Sequence, residues 1–235
     1  MKTEITAETD LFAHQTDGRC AAFFTARVRD PDAAAAKGVW SELDRLRTNG
    51  WRLSVASMFG DSAEISVYRS GFAHDVDLVG AFEGPGLAET HAGIAALAEA
   101  GWDRLFTTTW FVGRREFRPV PSTPGRDPRA RWAFFALWQW NNAWQAATPA
   151  ERAEYDAECD IAFSSDVGSG ISIAGRHRLD HAGPWHHLGI WEVPDLALLD
   201  GAMRMHETVA DFKFTTSRHY IGRRCELAEV LGVNA

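Results

Sequence analysis

The segment GAFEGPGLAETHAG, which spans Gly80–Gly93, returns in altered form as GIWEVPDLALLDGA at Gly189–Ala202. The likeness continues without a gap through TTTWFVGRR, ending at Arg115, and TSRHYIGRR, ending at Arg224. The offset is 109 residues throughout, and nine of the 36 aligned positions are identical. Self-similarity at a fixed spacing is the signature of a duplicated structural unit. We therefore predict that the chain folds as two copies of one unit.

Two basic pairs close the matched segments, Arg114-Arg115 in the first copy and Arg223-Arg224 in the second. Neighbouring guanidinium groups can bind a carboxylate. Their recurrence in both copies instead favours a structural role or a role in oligomer formation.

The first copy alternates between strand-like and helix-like segments. The run DAAAAKGVWSELDRLRTNG is typical of a helix, because Val39, Leu43 and Leu46 recur at the spacing of one helical face. A second helix is predicted from Pro85, since proline suits the first helical turn. Strands or short extended runs are predicted for CAAFFTARV, RLSVASMF, AEISVYR, VDLVGAFE and TTTWFVGRR.

The second copy repeats this order of elements. Strands are predicted for WAFFALWQW, GISIAGRHR, WHHLGIWEV and SRHYIGRR. Helices are predicted from Thr148 to about Phe163 and after Pro194, where Leu199, Met203, His206 and Ala210 share one face. Apart from one additional short extended run in the first copy, each copy has the order β-α-β-β-α-β, which is that of the ferredoxin-like unit.

These elements predict the fold class. The sheet of a ferredoxin-like unit has one face without helices, and two such faces can cover each other. We predict an α+β fold in which two tandem ferredoxin-like (βαββαβ) repeats form a pseudo-twofold α+β barrel. The predicted repeats span 1–116 and 132–235, and the segment 117–131, rich in proline and arginine, is the predicted linker.

The composition narrows the classes of partner. The chain has 235 residues and a net charge of −8, with basic residues clustered only in pairs, so nucleic acid is not an expected partner. Its three cysteines are widely spaced and form no CxxC, which argues against a disulfide scaffold or a zinc knuckle. The amino terminus lacks the apolar core of a signal peptide, and no apolar run has membrane-spanning length. We expect a cytoplasmic protein without a membrane partner.

The predicted helix from Thr148 carries a cysteine among acidic residues. Thr148 and Glu151 have the spacing of a capping box, and Pro149 suits the first helical position. Cys159 follows near the far end, between two carboxylates that disfavour a thiolate. The cysteine is therefore either a small core residue or a reactive or ligand-holding group.

This stretch resembles the chlorite dismutase and coproheme decarboxylase family. The second repeat of that family carries a tryptophan, a short loop, a proline and a Glu-Arg pair, and its proximal histidine ligates haem iron seven residues after the arginine. Here Trp144 lies eight residues before Arg152, and Cys159 lies seven residues after it. The stretch Tyr220–Arg224 resembles the family's Tyr-x-Gly-Arg-Arg ending. The resemblance implies a haem site in the second repeat, with Cys159, Trp144 and Trp140 as cofactor-binding residues.

The sequence departs from the family on the opposite side of the expected haem. Chlorite-degrading members place an arginine on the strand after this helix, but the equivalent position here is Ser172 or Ile173. Arg176 and Arg178 follow on the Ser172 face if the strand alternates regularly. Decarboxylation in the family depends on a tyrosine in the first repeat or the linker, and the linker sequence here has none. Chlorite chemistry is therefore disfavoured, and Arg176 remains a catalytic candidate.

Six histidines crowd the second copy: His177, His181, His186, His187, His206 and His219. On neighbouring strands His177 can meet His186 or His187, although only one of those two adjacent residues points inward. With Cys159, or with a carboxylate such as Glu192, His177 and His187 could hold a transition metal. His177 and His187 are also catalytic candidates, because a histidine beside an aromatic cavity can act as a general base.

The tryptophans have two interpretations. Trp132, Phe134, Trp138 and Trp140 fall on one face of the predicted strand WAFFALWQW. The first interpretation is barrel core. The second is a flat apolar pocket that suits a porphyrin or a polycyclic substrate.

Three hypotheses on function follow from these residues. The resemblance implies a haem-linked oxidoreductase with an atypical cysteine ligand or with axial ligation lost. The alternative is a cofactor-free or metal-assisted monooxygenase or cyclase that acts on a bulky apolar substrate of secondary metabolism. The third is a non-catalytic protein that kept the fold. The expected cofactor is haem, or otherwise none or a transition metal; the expected partners are a small apolar or porphyrin-like ligand and further copies in a homo-oligomer.

Overall fold

Eight strands close into a barrel in the part of the chain that the structure describes. The computed structural model describes residues 17–60, 62–71, 73, 75–179, 183–208 and 211–233. The strands are β1 Cys20–Val28, β2 Ser66–Arg69, β3 Leu78–Gly84, β4 Phe106–Arg115, β5 Trp132–Trp140, β6 Ser172–Arg178, β7 His187–Val193 and β8 Thr215–Glu226. Their order around the barrel is β1-β3-β2-β8-β5-β7-β6-β4, and neighbouring strands are antiparallel. The predicted α+β barrel is confirmed.

The helices of the described residues repeat the duplication. They are α1 Ala33–Thr48, α2 Val55–Met58, α3 Leu87–Ala100, α4 Trp102–Leu105, α5 Asn142–Ala146, α6 Pro149–Ser169, α7 Leu196–Thr208 and α8 Leu227–Leu231, with a 3₁₀ turn at Asp211–Lys213. The elements β3, α3 and β4 each begin 109 residues before β7, α7 and β8. Within the described residues, none of these helices has the length and apolar character needed to cross a membrane.

The two copies share one sheet. Strand β2 pairs with β8, and β4 pairs with β6, so hydrogen bonds join the copies on both sides of the barrel. Strand β4 ends at Arg115 and β5 begins at Trp132. The division into repeats at 1–116 and 132–235 remains a prediction.

Helix α6 begins where its capping residues place it. The Thr148 hydroxyl accepts the N–H of Glu151 at 3.3 Å, and a Glu151 carboxylate oxygen accepts the N–H of Thr148 at 2.7 Å. This reciprocal pair is the predicted capping box. The helix continues past Phe163, its predicted end, to Ser169 and stops at Gly170, whose φ of 110° suits glycine. The residues after Phe163 extend the helix across the sheet by more than one turn.

Half of the segment RLSVASMF is helical, so the prediction of one extended run there is wrong, although Arg52 keeps an isolated antiparallel bridge to Glu83. Its helix α2 is capped from both sides, because the Ser54 hydroxyl accepts the N–H of Ser57 at 2.9 Å and the Ser57 hydroxyl accepts the N–H of Ser54 at 3.1 Å. Such local bonds compete with strand pairing. The turn contacts β3, β6 and β7 and covers one end of the barrel. The helix predicted from Pro85 begins two residues later, at Leu87.

The tryptophan face of β5 lies outside the barrel. Ala133, Phe135 and Leu137 belong to the apolar core inside it. Since side chains alternate along a strand, Phe134 and Trp138 point to the outer face, where they pack with residues of α6 and α7. The interpretation of the tryptophans as barrel core is therefore wrong.

A bulge in β6 decides the direction of its arginine. The pairing register of β6 with β7 shifts between Ile173 and Gly175, where φ is 153° and favours glycine. Ser172 pairs with Glu192 on the interior face, whereas Arg176 lies on the outer face and lines the cavity described below. The expectation that Ser172 and Arg176 share a face is wrong, because the extra residue inverts the alternation.

Candidate functional site

A cavity of about 260 Å³ lies in the second copy between the outer face of the sheet and helices α6 and α7. The sheet contributes aromatic side chains such as Phe134 and Trp140 to its wall. The helices contribute Cys159 from α6 and His206 from α7. Aromatic walls with a small number of polar groups are typical of ligand sites.

The equivalent space in the first copy is filled. There the outer face of the sheet carries Phe24 and Phe82, whose ring centroids lie 5.1 Å apart. Trp102 packs edge-on against Phe24 at 5.3 Å, and all three side chains are buried. The two copies thus use one architecture differently: the first packs its helices on the sheet, and the second holds a cavity.

Stacked rings order one side of the cavity. Trp140 stacks on Trp144 with ring centroids 4.1 Å apart and planes 13° apart, and Trp138 stacks on His187 at 5.2 Å. Arg152 fixes Trp144 twice: its Nε donates to the Trp144 carbonyl at 3.1 Å, and its guanidinium lies 5.0 Å from the ring centroid. Of the predicted cofactor residues, Trp140 lines the cavity and Trp144 supports it from behind.

Cys159 is half-buried and faces the cavity from α6. Asp156, Asp160 and Asp166 line the cavity from the same helix. Apart from histidines, the described lining opposes these three carboxylates with one cation, Arg176. A negative lining favours neutral or cationic ligands over anionic ones.

A buried carboxylate joins the two helices and the sheet beneath the cavity. Asp166 Oδ2 lies 3.0 Å from Nε1 of Trp191 and 3.1 Å from Nε2 of His206. Asp166 is 2% exposed and His206 6% exposed. An ionised carboxylate can only accept hydrogen bonds, so both nitrogens carry hydrogens when Asp166 is charged. The Nδ1 atom of His206 is then the ring's proton acceptor.

Sequence reasoning missed the role of Asp166. It placed His206 on one helix face with Leu199 and Met203, and that shared face is confirmed because all three residues line the cavity. Ala210, predicted on the same face, lies outside the described residues. The available signal was an aspartate at helical spacing from Cys159 and Phe163.

The catalytic candidates Arg176 and His187 meet at one carboxylate. Arg176 Nε donates to Glu116 at 2.6 Å, and His187 Nε2 lies 3.7 Å from the other oxygen of Glu116. Burial raises the pKa of Glu116, but contact with His187 and the charge of Arg176 outweigh it and bring the pKa to about 2. Glu116, which sequence reasoning did not select, therefore holds Arg176 at the cavity.

His177 points into the barrel, away from the cavity. It is fully buried, and its Nε2 lies 3.8 Å from a Glu83 carboxylate oxygen. Burial lowers the pKa of His177, and the nearby Glu83 opposes that shift in part, so the ring is neutral at neutral pH. His177 pairs with Leu188 on the inner face, whereas His187 lies on the outer face, so the two histidines do not meet.

The predicted metal ligands Cys159, His177 and His187 are not brought together. Cys159 lies on the helix side of the cavity, His177 lies inside the barrel, and His187 lies beside Glu116. Across the residues that the structure describes, no group of three or more His, Cys, Asp or Glu side chains is placed to hold a metal ion. His181 is outside the described residues.

Comparison with known proteins places this tandem ferredoxin-like barrel within a recognised fold. No protein-family model and no curated protein matches the sequence. A tryptophan-to-valine variant of chlorite dismutase from Candidatus Nitrospira defluvii has a TM-score of 0.72 at 13% identity, over 96% of this chain and 98% of that one. The enzyme from the same organism in complex with imidazole gives 0.71 at 14% identity, with the same coverage. At such identities the likeness shows the fold: the chain has the chlorite dismutase-like fold.

Proposed function

We propose that this protein binds haem in the cavity of its second copy and acts as a haem-linked oxidoreductase. The observation that carries the proposal is the position of Cys159. It faces the cavity from α6, at the place in sequence where the family that the chain resembles carries its iron ligand. The stacked rings of Trp140 and Trp144 stand at the same cavity.

The residues at the cavity fit a porphyrin in two respects. Phe134, Trp138 and Trp140 offer apolar ring surfaces to a flat ligand. Cys159 offers a soft sulfur donor that can bind haem iron as a thiolate. Bound haem supplies one-electron and oxygen chemistry.

The protein's own residues orient the ligand and manage protons near it. Arg152 holds Trp144 against Trp140 and so fixes one wall of the cavity. Asp166 lies within hydrogen-bond distance of Nε2 of His206 and orients the ring at the cavity. Glu116 fixes the Arg176 guanidinium, the cation of the lining.

Reconstitution with haem, and separately with coprohaem, tests this function. We expect a Soret band from the purified full chain, and a shifted or lost band in Cys159→Ala. The matched control is Cys225→Ala, a half-buried thiol on β8 that does not line the cavity. Cys159→His should restore a band with the features of histidine ligation. No band with either porphyrin overturns the haem proposal, and an unchanged band in Cys159→Ala overturns the ligand assignment.

The Asp166–His206 pair favours a second candidate function, a cofactor-free monooxygenase or cyclase on a bulky apolar substrate. A histidine oriented by a buried carboxylate in an apolar cavity is suited to general-base catalysis. The three aspartates of the lining favour a neutral or cationic substrate over a porphyrin with its propionates.

A neutral, flat probe of general-base activity tests this candidate. In 5-nitrobenzisoxazole, a base removes the ring C–H proton, the electron pair forms the nitrile and the N–O bond breaks to a phenolate. We expect saturable turnover by the protein, lost in His206→Gln and kept in His219→Gln, which changes another histidine of the lining. Turnover that is absent, or equal in His206→Gln and the parent, would count against a base at this position.

The proposal includes a cytoplasmic location and, as the resemblance implies, assembly into a homo-oligomer. Exposed apolar side chains on the second copy support it: Ile161 is 61% exposed on α6, and Met205 on α7 is 38% exposed. Light scattering of the purified protein tests it. A monomer at all concentrations would contradict the expected homo-oligomer.

A further inference from the structure

A second cleft opens at one end of the barrel. Strands β3, β4, β7 and β8 run parallel to one another, as their antiparallel pairings with intervening strands require, so their carboxyl ends gather there. The cleft has a volume of about 510 Å³ and shares none of its described lining with the aromatic cavity. Its described lining includes Asp17, Arg52, Phe59, Arg115, Arg118 and Arg126. We call it the barrel-mouth cleft.

The duplication places a buried glutamate at this end from each copy. Glu83, near the end of β3, pairs with Arg52 at 3.1 Å and with Arg115. Glu192, its equivalent near the end of β7, takes two hydrogen bonds from Arg126, at 2.5 and 3.0 Å. Both glutamates are fully or almost fully buried. These pairs hold the guanidinium groups of the cleft in place.

Positive charge exceeds negative charge in the described lining of the cleft. Four arginines line it, Arg52, Arg115, Arg118 and Arg126, against one carboxylate, Asp17. The buried Glu83 and Glu192 pair with three of these arginines, so four positive charges meet three negative ones, in a protein whose net charge is −8. A local excess of this sign in an acidic protein attracts anions.

Buried donors at the cleft lack hydrogen-bond partners among the described residues. Arg115 lines the cleft and is 2% exposed, yet its Nε has no partner. Neither ring nitrogen of His177, which lies inside the barrel near Glu83, has one within hydrogen-bond distance. A buried N–H left unpaired is costly, and an anion's oxygen would satisfy it. Arg118, exposed at the rim, adds a cation to the lining.

We propose that the barrel-mouth cleft binds a small dianion with oxygen acceptors, of the phosphate or dicarboxylate class. Arg115 offers such an anion the charged N–H of its Nε, because its two terminal nitrogens already pair with Asp17 and Glu83. Arg126 is fixed both by Glu192 and by the Phe59 ring, whose centroid lies 4.9 Å from the guanidinium. The site is therefore preorganised before the anion arrives.

Titration calorimetry on the full chain, with inorganic phosphate and separately with malonate, tests the site. We expect saturable binding with one anion per chain, about tenfold weaker in Arg118→Gln because one charged contact is lost. The matched control, Arg47→Gln, removes an exposed arginine on α1 and should bind like the parent. Tighter phosphate binding identifies a tetrahedral anion, and tighter malonate binding identifies a dicarboxylate.

Two further measurements separate this site from the haem proposal and from misfolding. The His177 ring signal in NMR should shift on anion addition, because the ring lies next to Glu83 and the cleft arginines. Binding should persist in Cys159→Ala, which alters the other cavity. Failure of both anions to saturate the parent, or equal losses in Arg118→Gln and Arg47→Gln with circular dichroism unchanged, overturns the proposal.

Discussion

The Asp166 carboxylate lies 3.1 Å from Nε2 of His206 and thereby joins α6 to α7 beneath the cavity. The same oxygen lies 3.0 Å from the indole nitrogen of Trp191 on β7. One buried carboxylate thus ties both helices to the sheet at the place where the first copy uses apolar packing.

Loss of this carboxylate should destabilise the protein. In Asp166→Ala, two buried N–H groups lose their acceptor, so we expect the free energy of unfolding to fall by about 3 kcal/mol. Asp166→Asn keeps an acceptor oxygen and should cost about 1 kcal/mol. Urea unfolding followed by tryptophan fluorescence measures both. Glu154→Ala, an exposed change on the same helix, should stay within about 0.5 kcal/mol of the parent; an equal loss there would contradict the role of Asp166.

Glu116 should make stability depend on pH in the acid range. Its pKa in the folded protein is depressed from 4.5 to about 2, so the folded state prefers the ionised carboxylate. This contribution is fully present above the unfolded pKa and is lost as the pH falls towards 2. Melting temperatures measured from pH 6 down to about 2 should fall less steeply for Glu116→Gln than for the parent. Glu99→Gln, exposed on α3, serves as control, and parallel curves for the parent and Glu116→Gln would refute the prediction.

The acidic lining should select ligands by charge. We expect 1-naphthylmethylammonium to bind the cavity about tenfold more tightly than 1-naphthylacetate, because three aspartates oppose one arginine. Quenching of tryptophan fluorescence reports binding of both probes. Ala202→Phe fills space in the lining and should abolish saturation, whereas Ala197→Phe, exposed on the same helix, should not. Equal affinity for the two probes would show that the charges of the lining do not affect binding of the ligand.

The bulge glycine should resist substitution. A Cβ at Gly175 would lie 3.1 Å from the His177 ring, and φ there is 153°, so Gly175→Ala should cost about 2 kcal/mol of unfolding free energy. Gly168→Ala, at an open position of α6, should instead stabilise the protein by about 1 kcal/mol. Thermal unfolding checks both changes. If Gly175→Ala leaves the free energy of unfolding unchanged, the strand relaxes around the new side chain without cost.

Local patterns were enough to predict most elements. The capping box of Thr148 and Glu151 predicted the start of α6, and the alternation in WAFFALWQW predicted β5 with its correct bounds. The repeat at an offset of 109 predicted which elements correspond. The segment containing α2 was missed, because Ser54 and Ser57 cap a helix too short to show a period.

The candidate site was predictable in part. Cys159 and Trp140 both line the cavity, as spacing and resemblance had indicated. The partnership of Asp166 with His206 joins residues 40 positions apart in the chain, and the role of Glu116 depends on two other strands. The first contact depends on how α6 and α7 pack on the sheet, and the second depends on how the strands pair. Neither arrangement can be predicted from one element alone.

The sequence by itself determined the duplication, most of the order of elements and, in regular helices and strands, the residues that share a face, because helix and strand periods are local properties of the chain. Only the tertiary structure decided which face is inside. Pairing register turned the β5 tryptophans outward, and one extra residue at Gly175 turned Arg176 to the cavity. A shift of one residue inverts every side chain of a strand, and that shift is fixed by hydrogen bonds to neighbouring strands.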